Sequence, residues 1–396
     1  MLFLESWFWI FAAAATPLYW LCPIRLRGHW LLIASIVFFY HFAGLTGLTS
    51  VLLLGALTYF AGLGIAASRT RWAFVLGCTS LVGALAFYKY AGFFLGNLAI
   101  ALNMSRLGAP AWMRTWHSPA APLGISFFTF EFIHYLYEVR VNRREPIRNP
   151  VHFAVFAGFF PTLACGPIKR YPDFVPQLQA PRTPDLTEVT AAAQRVILGL
   201  FKKVCIADLL VEYVKVFEAA PHFNAPLVAT LAVLQGFRIY YDFAGYSDIA
   251  IGLAQLVGMR VPENFNRPYF STTLQEFWRR WHISLSSWIR DYIYIPLGGN
   301  RAHRAFNLLA AMLLCGLWHG AAWNFALWGV YHGMGLTIEA GIQRVRPGLF
   351  SDGWRHRLLG WAVCYTYVTY GWLLFFYPIT TVFKMTSEAL RSCGSW

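Results

Sequence analysis

Long apolar runs recur along nearly the whole chain, and many of them are long enough to cross a lipid bilayer. They lie near residues 6–22, 30–43, 47–67, 73–102, 123–139, 151–165, 225–246, 305–318, 320–341 and 358–377. A helix needs about 20 consecutive apolar residues to span the hydrocarbon core. The pattern therefore predicts an all-α, polytopic transmembrane helical bundle. Several runs are short or broken by Gly or Pro, which predicts re-entrant or broken helices within protein or around a water-filled cavity.

The composition excludes a soluble domain and argues against nucleic acid as a partner. Hydrophobic residues make up 58% of the 396 residues and charged residues only 13%, against about 25% charged in soluble proteins. The net charge of +14 comes from short basic clusters between apolar runs, which is typical of cytoplasmic loops. No nucleic-acid motif accompanies these clusters, so membrane lipids are the predicted contact.

The first apolar run resembles a retained membrane span. Glu5 is its only early charge, and Arg25 and Arg27 follow it. A cleaved signal peptide would begin with a basic segment, so we expect the far end of this span to face the cytoplasm. No soluble domain can be separated elsewhere, and residues 1–396 are predicted to form one integral membrane domain.

The stretch from 262 to 300 is the longest one that mixes charged and aromatic residues. Thr272 or Thr273 is predicted to cap a helix, and Glu276 in the first turn would favour the helix dipole. If that helix continues unbroken, Trp278, Trp281 and His282 share one apolar face. An amphipathic helix at the membrane interface explains the aromatic residues and the arginines, but it does not explain the histidine. Arg279 and Arg280 mostly lie off that face, with Asp291 roughly opposite His282.

His319 lies in an apolar segment rich in Trp and Gly, residues 315–333. An ionisable residue in such a place is by default a candidate for function, and neutral imidazole is a natural proton acceptor. Gly316 and Gly320 would allow close approach by a substrate or by another helix. Packing against a neighbouring carbonyl is an equal alternative from the residues alone. Cys315 could pair with the imidazole but is favoured as packing, and His332 is predicted to be structural or interfacial.

Two further polar groups are predicted near membrane depth. His134 and Glu138 are spaced as i and i+4, which favours a satisfied pair over a functional site. Lys169 and Arg170 follow a broken apolar run, where their charge could meet an anionic donor or anchor the chain at lipid headgroups.

Several kinds of chemistry lack support in the sequence. The seven cysteines are dispersed and show no CxxC or metal-ligand spacing, so no metal site is predicted. The sequence has no Walker A loop, dinucleotide-binding GxGxxG, HExxH or nucleophile elbow.

Four motifs together resemble the membrane-bound O-acyltransferase (MBOAT) superfamily. They are GISFFTF (124–130), FFPTLACGPIKRYPDF (159–174), NFNRPYFSTTLQEFWRRWHISLSSWIRDYIYIPLGGNR (264–301) and LWHGAAWNFALWGVYHG (317–333). They cover a motif core of about 120–340. RDYIYIPLGGNR is similar to the bacterial alginate-type polysaccharide O-acetyltransferase branch, since the D-alanine branch is expected to lose the PLGGNR ending. The chain departs from the family at FFY (375–377), where FFR is common, and alginate-type members usually continue with further spans. These departures leave open a shorter subtype or different partner contacts.

The resemblance implies an acetyltransferase with a central catalytic tunnel in the bacterial inner membrane. His319 matches the family's near-invariant histidine, expected to act as general base, and His282 matches its second histidine. Substrate contacts are expected from Trp278, Arg279, Arg280, Trp281, Asp291, Trp318 and Asn324. The expected donor is cytoplasmic acetyl-CoA or another acyl thioester, and no bound cofactor is expected.

The resemblance leaves the acceptor open. It could be a hydroxyl of an exported polysaccharide or a serine of a periplasmic SGNH-like acetyltransferase within a polysaccharide biosynthesis and secretion complex. Two other functions stay open: D-alanyl transfer from a carrier protein toward teichoic acid, and a non-enzymatic polysaccharide channel.

Overall fold

The computed structural model describes residues 3, 5–68, 71–105, 108–116, 119–163, 166–350 and 353–393, and its regular structure in these ranges is helical. The helices of the first half are α1 (Ser6–Leu21), α2 (Arg27–Ser68), α3 (Arg71–Leu85), α4 (Ala91–Met104), α5 (Ala111–Thr115), α6 (Ile125–Arg140), α7 (Pro150–Gly158), α8 (Tyr171–Gln179), α9 (Leu186–Leu200) and α10 (Asp208–Glu218). Those of the second half are α11 (Ala225–Leu256), α12 (Leu274–Arg280), α13 (Ile283–Ile289), α14 (Arg304–His319), α15 (Trp323–Val345), α16 (Gly353–Phe376) and α17 (Ile379–Cys393). The all-α prediction is confirmed.

Three of the described helical stretches are long and apolar enough to cross a membrane. They are Ile24–Ser68, Arg71–Met104 and Gly353–Phe376. The first joins two predicted runs, 30–43 and 47–67, into one helix that is broken at Gly44. The backbone there has a φ of 63°, a conformation that glycine adopts without steric cost. Broken helices are thus confirmed at this position, while the tunnel stays a prediction.

The chain divides into two compact units. The first comprises Met1–Ile197 and Asp248–Pro262, and the second comprises Leu198–Ser247 and Glu263–Trp396. We call them the N-terminal unit and the C-terminal unit. The prediction of one membrane domain over 1–396 stays a prediction.

The N-terminal unit has an aromatic core that encloses a fully paired lysine. Phe128, Phe132 and Phe156 are completely buried in this core. Lys169 is 1% exposed, and its Nζ donates to the two carboxylate oxygens of Glu131 at 2.8 and 2.9 Å. The pairing offsets the large cost of removing either charge from water. The expectation that Lys169 meets a donor or lipid headgroups is therefore wrong.

His134 is also buried and paired in the N-terminal unit. Its Nε2 accepts a hydrogen bond from the backbone N–H of Tyr171 at 2.9 Å, and its Nδ1 lies 3.9 Å from a Glu138 carboxylate oxygen. Helix α6 thus carries the satisfied pair that its i, i+4 spacing predicts, and this histidine has a structural role.

Candidate functional site

Helices α14 and α15 form a closely packed hairpin that carries His319 at its turn. His319 is the last residue of α14, and α15 begins at Trp323. A Cβ atom at Gly316 would lie 2.2 Å from the carbonyl oxygen of Phe325, and one at Gly320 would lie 2.2 Å from the Phe325 ring. The close approach that these glycines permit is therefore made by the neighbouring helix.

Aromatic rings surround the imidazole of His319, which stays half-buried. Its ring centroid lies 4.9 Å from that of Trp318, 5.0 Å from that of Phe375 and 5.4 Å from that of Trp328. These walls limit the directions from which a substrate can approach.

His282 lies at a sharp break in the polypeptide, where the sequence predicts a continuous helix. Helix α12 ends at Arg280 and α13 begins at Ile283, while His282 itself has φ 40° and ψ 57°. The predicted shared helical face of Trp278, Trp281 and His282 is therefore wrong. A non-glycine residue in this left-handed conformation is held there by its surroundings.

Asn264 provides those surroundings, a role that the sequence analysis missed. Its backbone oxygen accepts from the N–H of Ile283 at 2.9 Å, and its side-chain oxygen accepts from the hydroxyl of Ser284 at 2.7 Å. Its amide nitrogen donates to the Ser247 hydroxyl at 3.0 Å. Asn264 is completely buried and fixes the chain on the C-terminal side of His282. The signal available in the sequence was the asparagine that opens the NFN motif (264–266).

The structure brings the two predicted histidines together across Trp318. His282 is 2% exposed, and its ring centroid lies 4.5 Å from that of Phe243 and 5.9 Å from that of Trp318. Within the described part of the chain, Nε2 of His282 is shielded from solvent and has no hydrogen-bond partner.

His332 lies behind His319, with one indole ring between them. The Trp328 centroid is 5.4 Å from that of His319 and 4.8 Å from that of His332. The two histidines lie on different helices, because α14 ends at His319 and α15 begins at Trp323. His332 is completely buried, and neither ring nitrogen has a partner among the described residues.

A cavity of about 480 Å³ opens in the same unit. Its lining is basic at Arg279, Arg290 and Arg304 and includes Cys315, which lies one helical turn before His319. The Arg304 Nε atom is shielded from solvent and has no partner among the described residues. Other lining residues include Gln275, Trp278, Ser286, Ser287, Met312 and Glu339. Neither His282 nor His319 lines the cavity, but Ile283, the residue after His282, and Cys315 do.

The other predicted substrate contacts divide between packing and polar pairing. Trp281 is 4% exposed and packs with its ring centroid 4.8 Å from that of Trp372. Asn324 donates from Nδ2 to the carbonyl oxygen of Phe375 at 3.1 Å. Arg280 pairs with Glu276 at 2.6 Å, and Asp291 pairs with Arg290 at 2.8 Å. Among the predicted contacts, Trp278 and Arg279 line the cavity, and Trp318 lies between the two histidines.

Glu339 is a second residue that the sequence analysis missed. Its carboxylate accepts from the backbone N–H groups of Leu274 and Gln275, the first two residues of α12. At the same end, Thr273 caps α12 by accepting from the N–H of Glu276 at 3.1 Å, as one of the two predicted alternatives. Glu339 thus orients the helix that leads to His282, through a contact 65 residues apart in sequence.

An all-α membrane protein with two histidines around one tryptophan and a basic cavity in the same unit has the features of a membrane acyltransferase. Residues 35–380 match the membrane-bound O-acyltransferase family, MBOAT. This chain belongs to that family. It is an enzyme, an O-acyltransferase.

Relatives with three kinds of acceptor resemble the chain. It is 38% identical to the probable alginate O-acetylase of Azotobacter vinelandii, over 96% of this chain and 75% of that protein. It is 33% identical to the peptidoglycan O-acetyltransferase of Helicobacter pylori, over 87% of this chain and 70% of that protein. It is 32% identical to the teichoic acid D-alanyltransferase of Streptococcus thermophilus, over 58% and 59% of the two chains.

Proposed function

We propose that this chain transfers an acetyl group from cytoplasmic acetyl-CoA across the bacterial inner membrane to a hydroxyl group. The acceptor is an exported polysaccharide, or a serine of a periplasmic SGNH-like acetyltransferase that passes the acetyl group on. The observation that carries the proposal is the placement of His282 and His319 around Trp318, in the unit that holds the basic cavity. Multiple membrane crossings follow from a donor and an acceptor on opposite faces.

His319 acts as the general base in this proposal. An alcohol is a poor nucleophile at neutral pH, and a positioned imidazole that takes its proton raises the rate by about 10²–10⁴-fold. The alcohol oxygen attacks the thioester carbonyl as its proton passes to His319. The carbon–sulfur bond then breaks, and the coenzyme A sulfur leaves with that proton. The products are an acetyl ester and free coenzyme A.

His282 orients the acceptor or polarises the thioester carbonyl. Its Nε2 is buried without a partner among the described residues, so a hydrogen bond to the reacting oxygen would satisfy it. Such donors stabilise the negative charge that develops on a thioester carbonyl oxygen during attack. The interactions of Asn264 with Ile283 and Ser284 would hold this imidazole in place.

The volume and the charge of the basic cavity suit the proposed donor, acetyl-CoA. Its volume of about 480 Å³ lies in the range of about 300–1,000 Å³ that small-molecule sites occupy. Arg279, Arg290 and Arg304 would contact the phosphate groups of coenzyme A, since guanidinium groups bind phosphate well. The thioester would then extend toward Cys315 and His319.

The kinds of relatives support an exported glycan as the final acceptor. Two of them are named for O-acetylation of alginate and of peptidoglycan. A polysaccharide biosynthesis and secretion complex is the partner that this acceptor implies, and the SGNH-like protein would complete the transfer within it.

Transfer of radiolabel from acetyl-CoA to acceptor tests the proposed role of His319 as general base. Membranes with wild-type protein should transfer label to acceptor, and His319→Ala at equal expression should lower the rate by about 10²–10⁴-fold. His222→Ala is the matched control, because His222 is an exposed histidine. Unchanged transfer by His319→Ala would remove the proposed role.

The same assay separates the two alternative functions. A D-alanyltransferase should use an aminoacylated carrier protein and leave acetyl-CoA unreacted. A polysaccharide channel should consume no thioester and should tolerate His319→Gln. Either result would contradict the proposal, whereas release of free coenzyme A in step with acceptor labelling would support it.

A further inference from the structure

An apolar groove of about 300 Å³ runs between the two halves of α2 and helix α7. Leu32 and Phe39 line it from the half of α2 before the Gly44 break, and Val51 lines it from the half after the break. Its width comes from small residues, namely Gly55, Ala56, Ala154, Ala157 and Gly158. Because α2 is a candidate membrane span, this groove lies on a helix that contacts lipid.

A basic groove of about 650 Å³ adjoins the apolar groove at the start of α7. Tyr59 lines the apolar groove and donates its hydroxyl to the carbonyl oxygen of Arg148, which lines the basic groove, at 2.6 Å. Asn149 lines the basic groove and the next residue, Pro150, lines the apolar one. The two grooves therefore meet along one edge of the N-terminal unit.

Charged groups in the basic groove can exchange their present partners for an anion. The Arg144 side chain is 58% exposed and lies 3.8 Å from Glu138, and the Arg148 side chain is 80% exposed and lies 3.4 Å from Glu145. The pair of Arg148 with Glu145 is exposed on both sides, and such pairs contribute little stability. The Glu138 side chain is only 10% exposed. In addition, the Nδ1 atom of His152 is shielded from solvent with no partner among the described residues.

The basic groove lies at the membrane end that the sequence predicts to be cytoplasmic. A Cβ atom at Gly28 would lie 3.8 Å from Val151 and 4.0 Å from the His152 ring. Gly28 follows the predicted cytoplasmic arginines, Arg25 and Arg27. The loop of residues 140–150 is basic as well. Anionic lipids are concentrated on the cytoplasmic leaflet and attract such clusters.

We infer that the N-terminal unit binds one anionic glycerophospholipid from the cytoplasmic leaflet. One acyl chain occupies the apolar groove, and the phosphate contacts Arg144, Arg148 and His152. A zwitterionic lipid of the same chain length would fill the groove but lack the net negative charge that the arginines favour. The inference does not depend on acyl transfer, since none of these residues belongs to the histidine site.

Native mass spectrometry of the full-length protein in detergent tests the site. Phosphatidylglycerol and phosphatidylcholine with identical palmitoyl and oleoyl chains are the two probes. Wild type should retain phosphatidylglycerol preferentially. The Arg144→Gln/Arg148→Gln variant should weaken phosphatidylglycerol retention by about fivefold or more and leave phosphatidylcholine unchanged. Ala154→Phe should weaken retention of both lipids, because the ring fills the groove.

Two matched control variants accompany this test. Arg71→Gln removes an exposed arginine and Ala67→Phe enlarges an exposed alanine, and neither residue lines a groove, so both should bind like wild type. The arginine variant alters exposed side chains only, so its result stands even if Ala154→Phe misfolds. Equal retention of the two lipids by wild type, or unchanged binding by the arginine variant, would overturn the inference.

Discussion

The most deeply buried histidines of the two units differ in their hydrogen bonding, and the N-terminal unit also encloses a paired lysine. In the N-terminal unit, Lys169 and His134 each have hydrogen-bonding partners. In the C-terminal unit, Nε2 of His282 and both ring nitrogens of His332 have none among the described residues. Native proteins rarely leave buried polar groups unsatisfied, and exceptions need an explanation. The comparison teaches that Lys169 and His134 hold the first unit together through their partners, whereas ring nitrogens of His282 and His332 stay open to a new partner.

Removing one partner of the buried ion pair should have the largest effect on stability. Lys169→Met leaves the Glu131 carboxylate buried without its countercharge, which costs about 3–5 kcal/mol. Unfolding of the purified protein by titration with sodium dodecyl sulfate measures the loss. The double variant Lys169→Met/Glu131→Leu should recover most of it. Lys384→Met is the control, because Lys384 belongs to an exposed pair with Glu388, and a loss as large there would break the comparison.

Asn264→Ala should lower activity more than stability. The side-chain hydrogen bonds to Ser284 and Ser247 are lost, which lets the chain around His282 relax from its left-handed conformation. Misplacement of a catalytic group by about 1 Å can cost about 10²-fold in rate. We expect kcat to fall with little change in KM for acetyl-CoA, since Asn264 does not line the cavity. Asn266→Ala alters an exposed neighbour and should leave kcat intact; a fall in both variants alike would contradict a positioning role.

Substitution of His134 or His332 should change stability least among these variants, and the two effects should differ. His134 and His332 are both almost completely buried. His134 accepts a hydrogen bond from the N–H of Tyr171, whereas the ring nitrogens of His332 have no partner among the described residues. His134→Leu should therefore cost about 1–3 kcal/mol, because it leaves that backbone group unsatisfied. His332→Leu should change the thermal unfolding midpoint much less. Equal destabilisation by the two variants would show that His332 is as firmly held as His134.

The positions of the helices follow from local sequence patterns. Apolar runs at 6–22, 305–318 and 358–377 correspond to α1, α14 and α16, because each pattern reflects one helix and its own surroundings. The Thr273 cap could be predicted as one of two alternatives for the same reason. The resemblance of the surrounding motif to a known family also singled out His319, which aromatic rings surround in the structure.

Features that depend on distant contacts could not be read from the sequence. The break at His282 is held by Asn264, and α12 is oriented by Glu339, 65 residues beyond its first residue. Lys169 finds its carboxylate 38 residues earlier in the chain. Periodicity describes one helix at a time, so it predicts an unbroken helix wherever a remote hydrogen bond redirects the backbone.

The glycine contacts between α14 and α15 have a consequence for how new specificities arise. A Cβ atom at Gly329 would come within 2.4 Å of the carbonyl oxygen of Met312, so the two backbones touch and the hairpin has little freedom to deform. His319, the proposed base at its turn, should therefore keep one position whatever molecule is bound. We expect changes of donor and acceptor during evolution to concentrate in the side chains around this fixed point.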